Sequence, residues 1–239
     1  MNSQSLINEI QALSQAEFSY AFNSDFNELN RLDYGCSGVM MEAHVLFINI
    51  KNYTSILNTS RRLAARVHKI YQLSLDAVAK ETKGHFSCLT PQSFLLIYPN
   101  ESFDAGYAVD AALKTANLIG KEAHDTIEGL AHVSFSIGID TGNILGCKVA
   151  SDNGLDRILW VGTAIEKAKA ISQVCLQPFY VGISGTVFQR LDEDHRFTTK
   201  RIIGFKKQVE IWSMVSYQFD NVKKHLYQTN ILKSFEEDK

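Results

Sequence analysis

The clearest periodicity in the chain lies at 132–139, where Val133, Phe135, Ile137 and Ile139 alternate with His132, Ser134, Ser136 and Gly138. A period of two predicts a strand with one apolar face. Thr141–Gly142–Asn143 then predicts a turn into a further strand, ILGCKV (144–149). Another strand is expected at Val45–Ile50, a short apolar run bounded by polar residues. Leu63, Val67, Ile70, Tyr71, Leu73 and Ala77 recur at three- and four-residue intervals, which predicts a core-facing helix. Arg61, Arg62, Arg66 and Lys69 form its solvated face, and Gly84 is expected as its C-cap. HFSCL (85–89) and SFLLIY (93–98) predict a hairpin around Thr90–Pro91–Gln92, where proline presets the turn.

A helix over about 102–123 has Ala105, Val109, Ala112, Leu113 and Ala116 on one side. After a polar loop at Ser151–Asp156, strand ILWV, helix 163–174, strand 179–184, helix 185–191 and a last strand near 207–216 are expected. Residues 1–40 read as an N-terminal helical extension, with Leu6, Ile10 and Leu13 at helical spacing, and 217–239 as a polar C-terminal tail. The order β-α-β-β-α-β between them predicts an α+β, ferredoxin-like βαββαβ core with a C-terminal α/β extension. Its sheet is expected on one side and its helices on the other.

Composition narrows the function. A hydrophobic content of 45% supports a sizeable core, and 24 basic against 26 acidic residues give none of the basic excess of a nucleic-acid binder. No run of about 18 apolar residues predicts a membrane span. The first residues lack the charged and apolar regions of a secretory signal. Cys36, Cys88, Cys147 and Cys175 are scattered without CxxC spacing, as expected of reduced cysteines in a cytoplasmic protein, and they predict no zinc site.

Four segments carry the candidate chemistry: Phe47-Ile48-Asn49-Ile50-Lys51-Asn52-Tyr53-Thr54, Thr90-Pro91-Gln92 with the strand after it, Ile137-Gly138-Ile139-Asp140-Thr141-Gly142, and Val161-Gly162-Thr163-Ala164-Ile165-Glu166-Lys167-Ala168-Lys169-Ala170. In this order and spacing they resemble the motifs of the class III adenylate/guanylate cyclase domain. The FINIKN variant, the IDTG turn, Lys148 and LWVG most resemble bacterial anti-phage pyrimidine cyclases of the Pycsar type. The resemblance makes 41–216 a cyclase-homology domain.

That family joins a ribose 3′-hydroxyl to the α-phosphorus of a nucleoside triphosphate and expels pyrophosphate. Its two magnesium or manganese ions sit between two aspartates, because hard cations take charged oxygen ligands. The resemblance puts Asn49 and Gln92 at those positions. It puts Glu166 and Ala170 where the family has an asparagine and an arginine that meet developing phosphoryl charge. Cys88 and Leu159 stand at the base-reading positions.

No catalytic residue and no metal site are therefore expected, and no cofactor. If the chain were active, magnesium or manganese would be needed. A vestigial nucleotide site would use Ile50, Lys51, Asn52, Tyr53 and Thr54 with Cys88 and Leu159. The bland reading of that loop is a strand-to-helix turn with Thr54 or Ser55 as N-cap. The implied partner is a second copy, or a related cyclase subunit. An active cyclase is the alternative, in which Asp76, Glu81, Glu166 or a partner's acid carries metal. His132 reads as a surface or interface residue, Asp140, Asp152 and Asp156 as turn formers, and Trp160 as core or interface packing.

Overall fold

A computed structural model describes residues 3–32, 36–123, 133–149, 157–175, 178–202 and 205–233. The molecule is built on one long antiparallel ladder. Strand β2 (Ser37–Ile50) pairs with β5 (Phe135–Val149) continuously from Gly38↔Cys147 to Ile50↔Phe135. No turn interrupts β5 at Thr141–Gly142–Asn143, contrary to the expectation from sequence. Continuous pairing with β2 on one edge keeps the backbone extended through Gly142, and other strands pair with the opposite edge on either side of it.

Further strands flank the ladder at both ends. At one end β4 (Ser93–Pro99) lies beside β2, followed by β3 (His85–Thr90), and β7 (Val181–Ser184) runs parallel to β5. At the other end β1 (Ser19–Phe22) pairs with β2 and β6 (Arg157–Val161) with β5. The order β5-β2-β4-β3 is the ferredoxin-like core, and the fold is α+β.

Helices cover both faces, not one. Helices α4 (Arg61–Glu81) and α5 (Ala105–Asn117) bury Val67, Tyr71, Leu75, Val109 and Ala112 against Ile48, Leu96 and Ile137. On the opposite face α6 (Thr163–Val174) and α2 (Asn27–Arg31) bury Ala164, Ile165, Ala168 and Leu29 with Val45, Phe47, Ile97 and Trp160. Trp160 is thus core. Helix α4 starts where Ser60 Oγ accepts from Leu63 N at 3.2 Å. It ends with Lys83 in the left-handed region (φ 54°) and Gly84 N bonded to Ala79 O at 2.9 Å. Gly84 therefore stands one position beyond the left-handed residue of a Schellman ending. A side chain there would meet the Tyr98 ring at 2.6 Å, which accounts for the glycine. The buried stripe of α4 is also phased differently from the expected one: Leu75 and Val78 are inside, while Leu73 is 61% exposed. Arg61, Arg62, Arg66 and Lys69 are exposed, as expected.

The two ends of the chain differ most from the sequence reading. Residues 3–31 are not one helix but α1 (Ser3–Gln15), β1 and α2, because Ser19–Phe22 finds an open edge on β2. After α7 (Gly185–Gln189) and α8 (Glu193–Arg196), a separate hairpin of β8 (Phe197–Ile202) and β9 (Phe205–Glu210) forms. The expected polar tail instead carries most of a hairpin, β10 (Ser213–Phe219) and β11 (Val222–Thr229), and β11 extends the main sheet beside β7. Leu226 and Thr229 are buried there. Among the described residues no helix is long and apolar enough to cross a membrane.

Candidate functional site

The end of the ladder where β2 meets β4 gathers several of the expected positions. Asn49 stands opposite Ser93 on β4 and Ser136 on β5, and Ile50 N donates to Gln92 O at 2.9 Å. Positions 49 and 92 therefore share one end of the sheet, both half-buried. Cys88 lies exposed on the neighbouring strand β3, its Sγ 3.6 Å from Thr90 O. Thr90 Oγ1 accepts from Gln92 N at 3.3 Å, and a register shift between Cys88 and Thr90 shapes the turn. Gln92 and Asn49 bring neutral amides, and no Asp or Glu occurs anywhere in 43–60 or 85–99.

The loop after β2 is pinned rather than open. Lys51 N donates to Ser134 O at 2.8 Å, and Asn52 Oδ1 accepts from Ser134 N at 2.9 Å. The N–H groups of Ile50 and Lys51 are thus already spent on protein carbonyls. Helix α3 (Tyr53–Thr59) begins directly after Asn52, its N-cap, so neither Thr54 nor Ser55 caps it. The Lys51 ammonium donates to Gln173 O at 3.2 Å and to Cys175 O. These are carbonyls at the C-terminal end of α6, where the helix dipole favours a cation. Burial lowers the Lys51 pKa from its ordinary value. Burial also pushes the neighbouring Cys175 thiol up to about 12, so it stays protonated.

Glu166 and Ala170 both lie on α6 but in different surroundings. Glu166 is exposed and pairs with Lys169 at 3.6 Å. Ala170 packs with Val174 on a small cluster of Ile171, Cys175, Tyr217 and Leu226. Asp76 is likewise engaged on its own helix, with Lys80 at 2.6 Å. Leu159 is not near Asn49: it pairs with Cys147, eleven residues along β5 from Ser136, on the order of 35 Å of extended strand away. His132, Asp152 and Asp156 lie outside the described residues.

Asp140 was expected at a turn and is instead in the middle of β5, opposite Val45 and only 1% exposed. It belongs to the face made of Ser136, Gly138, Asp140 and Gly142. On sequence that face reads as solvent-facing, yet α6 lies directly on it. A Cβ at Gly138 would overlap the Ala168 carbonyl oxygen and approach Ser172 N to 2.5 Å. Ser136 Oγ donates to Ser172 O at 2.5 Å. Small and polar residues appear here because a helix backbone needs both close approach and hydrogen-bond partners. The run of small residues ending in one carboxylate is the sequence signal that was missed.

No protein-family model matches the sequence, and no curated protein matches it. Solved structures do. The guanylyl cyclase Cya2 superposes with a TM-score of 0.65 at 15% identity, over 84% of this chain and 97% of that one. The adenylyl cyclase CyaB from P. aeruginosa gives 0.60 at 12%, over 82% and 96%. The guanylate cyclase domain of RhGC from Catenaria anguillulae, solved in complex with GTP, gives 0.59 at 18%, over 81% and 98%. The chain has the class III cyclase fold. At these identities the likeness is one of fold.

Proposed function

We propose that this chain is a catalytically silent cyclase-fold domain that acts as a dimerising, nucleotide-binding or regulatory module in bacterial signalling or defence, in the cytoplasm. The observation that carries this reading is the donor chemistry at Asn49 and Gln92. Two neutral amides do not fit a pair of dications bridged to a triphosphate, which call for anionic oxygen ligands. Lys51, the one cation in the adjoining loop, is committed to the end of α6. An exposed Glu166 would bring negative charge toward phosphate, and Ala170 offers nothing to a phosphoryl group.

Dimerisation has its own support at the far end of the ladder. Register places Tyr20 and Phe22 of β1, Met40 of β2, Leu145 of β5, and Leu159 and Val161 of β6 on one face. Phe22 is 70% and Leu159 53% exposed. A contiguous apolar sheet face of this kind marks an interaction surface. We assign it to a second copy of this chain or to a related cyclase subunit.

Incubation with each of the four nucleoside triphosphates, with Mg²⁺ or Mn²⁺, tests the catalytic part. No cyclic product is expected, and none from Asn49→Asp with Gln92→Asp either, since Glu166 and Ala170 remain. Turnover by the unmodified protein that disappears on Asn49→Ala would overturn the reading.

A further inference from the structure

A cavity of about 330 Å³ opens between β5, α6, β7, α7 and the β10–β11 hairpin. Its floor holds Asp140, and Lys167, Ser184, Tyr217, Lys224 and His225 contribute to its walls and mouth. It lies four residues along β5 from Ser136, the residue opposite Asn49, and shares no lining residue with the amide end of the ladder.

Asp140 gives the cavity its character. The Oδ2 atom is fully buried and has no hydrogen-bond partner. The closest cation, Lys167 Nζ, stands at 3.7 Å, an ion-pair distance too long for a hydrogen bond. A buried carboxylate oxygen left without a donor costs free energy unless something supplies one. Burial raises the Asp140 pKa, and the Ser184 hydroxyl and the Lys167 ammonium offset that only in part. The mouth has the opposite character, because Lys224 is exposed there and no second acid lines the cavity among the described residues. The pocket is thus polarised, with an acceptor at its base and lysine ammonium groups at its rim. Its volume is at the lower end of the range of small-molecule sites.

We propose that this pocket binds a small metabolite with N–H donors at one end and an anionic group at the other. The donors meet Asp140, and the anion meets Lys224 and Lys167. Two sources carry this chemistry: nucleoside monophosphates, through a base edge and a phosphate, and free amino acids, through the ammonium and carboxylate. The site is separate from the vestigial cleft and does not rest on its reading.

Calorimetric titration of the full chain with the four nucleoside monophosphates in one arm and a panel of free amino acids in the other tests the proposal. Binding is expected in one arm. Lys224→Ala, an exposed change that leaves the fold intact, should weaken it about tenfold, and Asp140→Asn at least as much. Binding should survive Asn49→Ala, which separates this site from the other cleft. The proposal is overturned if neither arm binds at millimolar concentration, or if binding persists unchanged in both pocket variants.

Discussion

The two ends of the β2–β5 ladder differ in the chemistry they present. At the Asn49 end, helices pack on both faces, the loop is bonded to its neighbours, and the side chains facing the cleft are neutral amides. At the Gly38–Cys147 end one face is apolar and partly open, with Phe22, Tyr20, Leu159 and Val161 turned to solvent. The first end has the cyclase fold with neutral amides at positions 49 and 92. The second presents apolar side chains to solvent. One sheet can carry different chemistry at its two ends, because backbone pairing and side-chain chemistry are separable.

The largest expected effect breaks the ladder where α6 sits on it. Gly138→Ala should cost about 3 kcal/mol or more, because the new methyl meets the Ala168 and Ser172 backbone and not a movable side chain. Chemical denaturation would measure it, and a loss below 1 kcal/mol would show that α6 is not held so closely. Next comes the pH dependence of His195 on α8, which sits between Asp110 of α5 and Asp192. His195 Nε2 faces Asp110 at 3.4 Å, His195 Nδ1 faces Asp192 at 2.6 Å, and Lys233 reaches Asp110 at 2.5 Å. The Asp110 hydrogen bond, with help from Asp192 and against the cost of burial, raises the His195 pKa from 6.5 to about 9. A raised folded-state value means stability that is fully present below 6.5 and lost as pH climbs through about 9. Melting curves should therefore show a loss on the order of 1–3 kcal/mol across that window, absent in His195→Gln.

Lys51→Met should cost about 1–2 kcal/mol by removing the cation from the α6 C-terminus. It should leave nucleotide affinity unchanged, and a clear loss of affinity would place the ammonium on phosphate instead. The smallest effect on stability is expected at the other end. Leu159→Lys with Val161→Lys should change stability by no more than about 0.5 kcal/mol, since both side chains are exposed. Its effect should appear in solution mass, as a dimer turned into a monomer.

Much of this contrast was legible in the sequence. Alternation at Phe135, Ile137 and Ile139 and the apolar run at Val45–Ile50 identify the central strands, because burial on a sheet face imposes those patterns directly. What the sequence did not disclose depended on neighbours. Whether Ser136, Gly138 and Asp140 face water or a helix is decided by α6, distant in the chain. The strand at Ser19–Phe22 and the hairpin closed by Val222–Thr229 exist because open sheet edges receive them, and their own patterns are weak. At the candidate site, the identities of Asn49 and Gln92 were plain from sequence, and their adjacency followed from the motif order. The commitment of Lys51 to Gln173 and Cys175 was not, since it joins residues more than a hundred positions apart.

With neutral amides at Asn49 and Gln92 and no Asp or Glu in 43–60 or 85–99, this end of the ladder is proposed not to seat paired cations. Titration of Mn²⁺ into the protein with a non-cyclisable triphosphate, followed by electron paramagnetic resonance, is the decisive measurement. No protein-bound manganese is expected beyond what the free triphosphate chelates. Two manganese ions held per chain, and lost on Asn49→Ala, would contradict it.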